Sequence, residues 1–111
     1  MKLPSGEQAV VDSRKIREYI LSQSHPVGRF KAAFFARLGY SQSNWQEFEA
    51  AIRACAVQDE AQEREPTPYG QKYGVRSILE GPSGVRAAVV SIWIIRSGET
   101  VPRLITVMPE R

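Results

Sequence analysis

Residues 85–96, VRAAVVSIWIIR, constrain the fold more than any other stretch of this chain. Apolar side chains occupy both odd and even positions, so a strand here has two faces to cover, as a central strand of a sheet does. Its neighbours are legible on either side. Upstream, QKYGVRSILE (71–80) alternates Tyr73, Val75 and Leu79 with Lys72, Arg76 and Glu80, the period of a half-buried strand. GPSG (81–84) between the two runs is a tight turn of glycine and proline. Downstream, SGE (97–99) reverses the chain again, and TVPRLITVM (100–108) reads as a last strand, with Pro102 near its start where a missing amide donor is best tolerated. The second half is therefore a meander over about 71–108.

The first half, about 12–57, has the helical period. Asp12 or Ser13 caps a first helix whose Ile16, Tyr19 and Ile20 form one apolar side, ending near Ser22. A second helix begins between Pro26 and Arg29 and stops at Gly39, with Phe30, Phe34 and Leu38, four apart, as its expected buried side. A third starts at Ser41 or Ser43, the latter with Gln46 as a capping box, and carries the stripe Trp45, Phe48, Ile52 and Cys55. Ala9-Val10-Val11 is a short candidate edge strand. An acidic and proline-containing connector, about 58–70, separates the halves. Helices followed by strands predict an α+β domain, about three N-terminal helices packed on a C-terminal antiparallel sheet of three to four strands.

At 111 residues the chain reads as a single domain, 1–111, large enough for an unaided core, and 42% hydrophobic with 24% charged residues is an ordinary globular balance. Cys55 is the only cysteine, which excludes an intramolecular disulfide and fits a reducing compartment. The start has no apolar signal region and no run approaches the roughly 18 apolar residues of a membrane span, so the expected location is the cytoplasm, with no membrane partner. The net charge of +3 hides a basic remainder: outside DEAQERE (59–65), 14 Lys and Arg face 8 Asp and Glu. Such a surface attracts phosphates, or is simply a solvated arginine-rich one.

The candidate chemistry centres on SHPVGRFKAAFF (24–35). His25, the only histidine, is the default general acid or base near neutral pH; its structural alternative is a helix cap or a bond to a strand carbonyl. Arg29 and Lys31 are candidate phosphate holders or a solvated helix face, and they point about 160° apart if both are helical. A late helix start leaves His25 in a loop that folds back, beside free amides that favour an anion. Arg103, inside an apolar strand, needs a ligand or an ion pair with Glu99 or Glu80. Trp93 offers a stacking surface or core packing. Phosphate-loop, dinucleotide, H-E-x-x-H and cysteine–histidine zinc patterns are all missing, so neither a metal nor another cofactor is expected.

Across most of the chain the pattern HPxGRxKAxxF, LG, GxY, GPxG, a tryptophan late in the central strand and PRLxT resembles a family of small bacterial domains of unknown function, often labelled adhesin. Such domains occur alone and as C-terminal domains of polymorphic toxins. Its order of elements is similar to the barnase, EndoU, colicin and RelE-like ribonuclease group. The resemblance implies metal-independent cleavage of RNA, and a small co-encoded partner protein acting as antitoxin. It assigns His25 to proton transfer, Arg29, Lys31 and Arg103 to phosphate and transition-state charge, Thr106 or Tyr73 to positioning, and Trp93 to stacking or packing. Val27 and Phe30 depart from the pattern, standing where polar residues are expected. The competing reading is a module that binds RNA or an acidic partner without turnover.

Overall fold

In the computed structural model, which describes residues 1–110, four antiparallel strands lie in the order β1-β2-β3-β4: β1 (Ala61–Glu63), β2 (Gly70–Glu80), β3 (Arg86–Arg96) and β4 (Arg103–Pro109). VRAAVVSIWIIR becomes the long interior strand β3, paired with β2 from Gly70↔Arg96 to Glu80↔Arg86 and with β4 on its other edge. A bulge between Ile92 and Trp93 leaves Ile105 of β4 without a register partner and brings Thr106 opposite Ile92. Pro102 delimits the last strand, which starts at Arg103 rather than Thr100 because proline cannot donate to the ladder. β1 lies inside the acidic connector. Its sequence has no strand period; pairing of Ala61 with Val75 and Glu63 with Tyr73 creates it.

Three helices cover one face of the sheet. Asp12 caps α1, its side chain accepting from the Arg14 amide, and the α-helical turn Ser13–Lys15 widens into a π-type stretch, Ile16–Ile20. α2 spans Arg29–Leu38 and ends at Gly39, whose φ of 98° is the left-handed stop that glycine accepts without a Cβ clash. α3 (Trp45–Gln58) is entered through a short 3-10 turn, where the Ser43 amide donates to the Ser41 hydroxyl and the Ser41 amide to Asn44 Oδ1. The capping residue is thus Ser41. Val10 bridges β4 in parallel, its amide on the Pro102 carbonyl and its own carbonyl taking the Leu104 amide, so the short apolar stretch reaches the sheet by one bridge only.

The core lies between these layers: Ile16, Ile20, Phe35, Leu38, Phe48 and Ile52 pack on Val75, Val89, Trp93, Leu104 and Val107. Phe48 meets Phe35 and Tyr40 edge-on, with centroids 5.0 and 5.2 Å apart. Cys55 is buried on the predicted stripe of α3, and burial pushes its thiol up. The buried side of α2 differs from the expected one. Ala32, Phe35 and Leu38 face the core, Phe34 is half-buried and Phe30 is 69% exposed. A small residue sets this rotation, because Gly28 lets the start of α2 sit directly against Tyr19 of α1.

Candidate functional site

The start of α2 is built by His25. Its Nδ1 accepts the amides of Val27 (3.0 Å) and Gly28 (2.9 Å), and its carbonyl accepts the Arg29 amide (3.0 Å). The helix therefore begins late, and the amides expected to greet an anion are already taken. An accepting Nδ1 fixes the neutral tautomer with its proton on Nε2. The imidazole is a donor at Nε2, not a base, because a proton on Nδ1 would break both cap bonds.

Tyr19 of α1 meets the imidazole edge-on, with centroids 4.9 Å apart. The Lys31 ammonium donates to the phenolic oxygen of Tyr19 (2.5 Å) and lies 4.6 Å from the ring centre. Close approach of the two helices makes this possible: the Tyr19 carbonyl occupies the space beside Gly28. Tyr19 and His25 line an open cleft of about 580 Å³, with Asp12, Arg14, Lys15, Glu18, Ile105 and Thr106. That size is in the range of small-ligand sites, roughly 300–1,000 Å³.

Charge is distributed unevenly along the cleft. Arg14 is paired with Glu18 (3.0 Å), and Asp12 is engaged by the Arg14 amide. Lys15 donates to the Leu104 carbonyl (3.3 Å), and neither it nor Lys31 has a carboxylate partner among the described residues. The Thr106 hydroxyl is buried without a hydrogen-bond partner. Ser77 shares that condition but sits in the core beside the Cys55 thiol, whereas Thr106 lines the cleft. A hydroxyl left unsatisfied costs roughly 1–3 kcal/mol.

The structure thus places His25 and Thr106 on one cleft with Tyr19 and Lys15, whereas Lys31 does not line it and is tied to it through the Tyr19 phenol. The remaining candidates lie elsewhere. Arg103 is bound by Glu99 through Nε (3.0 Å) and a second contact of 3.3 Å, and it does not line the cleft. Arg29 is exposed, stacked over Phe30 at 4.9 Å. Trp93 is fully buried, its indole nitrogen donating to Ser91, so it packs and offers no stacking face. Tyr73 is a core residue opposite Trp93, and burial pushes its phenol up. Sequence reading counted Tyr19 only as part of an apolar stripe; the one signal was a tyrosine where phenylalanine would have packed equally well.

The Arg103–Glu99 pair has a measurable consequence. Its hydrogen bond, before any other influence, holds the Glu99 carboxyl below its usual range. A depressed carboxyl contributes stability above the unfolded pKa, about 4.3, and loses it as pH falls through the folded value. The urea midpoint is expected to drop below about pH 4, and to drop less in Glu99→Gln. An equal acid response in both proteins would show that this exposed pair contributes nothing.

The model of a family described as "Domain of unknown function (DUF6883)" matches residues 2–111. No curated protein matches the sequence. Among solved structures, a chain of the "Contact-dependent growth inhibition toxin - immunity protein complex from Klebsiella pneumoniae 342" is similar with a TM-score of 0.70. The likeness covers 96% of this chain and 97% of that one at 20% identity, so it is a likeness of fold.

Proposed function

The chain belongs to the DUF6883 family, and we propose that it is the toxin member of a toxin–partner pair, cutting RNA phosphodiesters at the cleft between α1, the His25 loop and β4. The observation that carries this reading is that His25, Lys15, Thr106 and Tyr19, whose phenol is bound by Lys31, line one open cleft. The likeness of fold to a chain of the Klebsiella toxin–immunity protein complex supports the toxin–partner setting. The two lysines without carboxylate partners support the toxin side of it, since transferring a phosphoryl group requires fixed positive charge.

In the proposed reaction the ribose 2′-oxygen attacks phosphorus and the bond to the 5′-oxygen breaks, leaving a 2′,3′-cyclic phosphate and a 5′-hydroxyl. The 2′ proton passes to water in the open cleft. The Tyr19 phenol gives its proton to the departing 5′-oxygen, and the Lys31 ammonium stabilises the phenolate. His25 Nε2–H and the two remaining protons of Lys15 hold the non-bridging oxygens, while Thr106 orients the phosphate. Proton transfer thereby shifts from His25 to Tyr19, and Arg103 leaves the site for a structural pair.

Single-stranded RNA incubated with the wild type is expected to yield cyclic-phosphate ends. Thr106→Val is expected to cut about tenfold more slowly while gaining stability, since it removes an unsatisfied buried hydroxyl; Arg103→Ala is expected to cut at the wild-type rate. RNA left intact by the wild type, or equal cleavage by Thr106→Val, would remove the mechanism. The committed Nδ1 of His25 favours one second reading, a module that holds RNA or an acidic partner without turnover; salt-dependent binding with the RNA recovered intact identifies it.

A further inference from the structure

α2 turns one of its three phenylalanines outward. Phe30 is 69% and Val27 60% exposed, Phe34 is half-buried and Ala33 is exposed, so an apolar ridge runs along the outside of the helix. Arg29 lies 4.9 Å over the Phe30 ring and Arg37 lies 5.7 Å from that of Phe34. Residues 26–39 hold three cations and no carboxylate. Neither Arg29 nor Arg37 has an ion-pair partner among the described residues. The outer face of the sheet makes an informative contrast. It also exposes an apolar residue, Ile78 at 61%, but the two arginines nearest it in the strands are paired, Arg76 with Glu110 and Arg86 with Glu80, while Arg64 lies farther along over Gly74.

We propose that this ridge of α2 is the docking surface for the acidic partner protein, with Phe30 as the anchor in an apolar groove and Arg29 and Arg37 meeting carboxylates on the groove's rim. The inference rests on the toxin–partner reading and locates the partner. An exposed phenylalanine with one arginine over its ring and a second two turns along the helix is the composition of a protein–protein hot spot, and an exposed apolar helix ridge is what a groove receives. Val27 and Ala33 add apolar contact but no ring on which a base stacks, which favours a protein over RNA. Because α2 also carries Lys31 and begins at the His25 cap, a partner seated here lies beside the cleft and is placed to obstruct it.

The test uses the purified product of the reading frame adjacent to the gene for this chain, titrated calorimetrically against the wild type, Phe30→Asp, Arg37→Glu and, on the sheet's outer face, Ile78→Asp. Phe30→Asp is expected to weaken binding by about 30-fold or more. Arg37→Glu is expected to weaken it and flatten its salt dependence, and Ile78→Asp to leave it unchanged. Wild-type affinity in Phe30→Asp, a loss confined to Ile78→Asp, or no binding by the wild type would each overturn the assignment. Oligouridylate binding is measured in parallel: if Phe30→Asp weakens that and spares the protein partner, the ridge belongs to RNA. RNA cleavage by Phe30→Asp at the wild-type rate certifies its fold and separates a wrong docking surface from a wrong activity.

Discussion

Gly28→Ala is expected to lower stability by about 2–3 kcal/mol and to abolish any activity of the cleft, although helix propensity alone says the opposite. Gly28 has φ −67° and ψ −22°, a conformation alanine adopts without strain. At such positions Gly→Ala ordinarily stabilises by about 0.4–1 kcal/mol through the unfolded chain. A Cβ at residue 28, however, would stand 2.0 Å from the Tyr19 carbonyl oxygen and 2.8 Å from its carbon. Both are backbone atoms, so no side chain can swing aside. α2 must move away from α1, and the move undoes what the approach creates: the His25 cap on the Gly28 amide and the Lys31 bond to Tyr19. Urea denaturation decides between the two effects by sign. A raised midpoint would mean that the helices separate without loss and that their contact does not shape the cleft.

The same contact explains where sequence reading failed. Periodicity weighs large apolar residues and predicts Phe30, Phe34 and Leu38 as the buried side of α2; Leu38 is buried and Phe34 packs on the core, but Phe30 is exposed. The approach to α1 is set by Gly28, which contributes almost nothing to a hydrophobic pattern and is decisive for how near two helices come. What depends on local chemistry was legible: the Asp12 cap, the Gly39 stop, the GPSG turn and the two-faced β3. What depends on a distant partner was not. β1 exists because β2 offers it an edge, and the Ala61–Glu63 backbone pairs whatever its side chains prefer.

The candidate site divides along the same line. His25 and Thr106 stand out by residue type and line one cleft, while Lys31 touches it only through Tyr19. Much of the conspicuous motif is nevertheless architecture. His25 caps, Gly28 admits Tyr19, and the GPSG turn closes on the end of α2, where the Ser83 amide reaches the Leu38 carbonyl and a Cβ on Gly81 would stand 1.9 Å from that oxygen. Arg103 answers its need for an anion with Glu99, one of the two carboxylates that sequence reading offered it. Tyr19 is inconspicuous in the sequence because its partners, the His25 ring and the Lys31 ammonium, come from the next segment of chain and meet it only once α2 has docked.

Tyr19→Phe is the most discriminating change in the cleft, because it deletes one oxygen and leaves the ring. The edge contact with His25 and the position of Lys31 over the ring survive, so stability is expected to stay within about 1 kcal/mol of the wild type. If the phenol supplies the proton to the leaving oxygen, kcat for RNA cleavage is expected to fall by about 10²–10⁴ with little change in KM. His25 requires a paired comparison, since removing it disturbs both the helix start and the cleft. Asparagine retains an oxygen for the Val27 and Gly28 amides, whereas alanine retains none and forfeits a cap usually worth about 1 kcal/mol. Asparagine cannot place a donor where Nε2–H stands. His25→Asn is therefore expected to fold like the wild type and cleave about tenfold more slowly, the loss of one phosphate hydrogen bond. Should Tyr19→Phe retain full kcat while His25→Asn loses all of it, the proton would belong to the imidazole. The cap seen here would then have to open during turnover, because an Nδ1 that accepts two amides leaves no nitrogen free to take a proton.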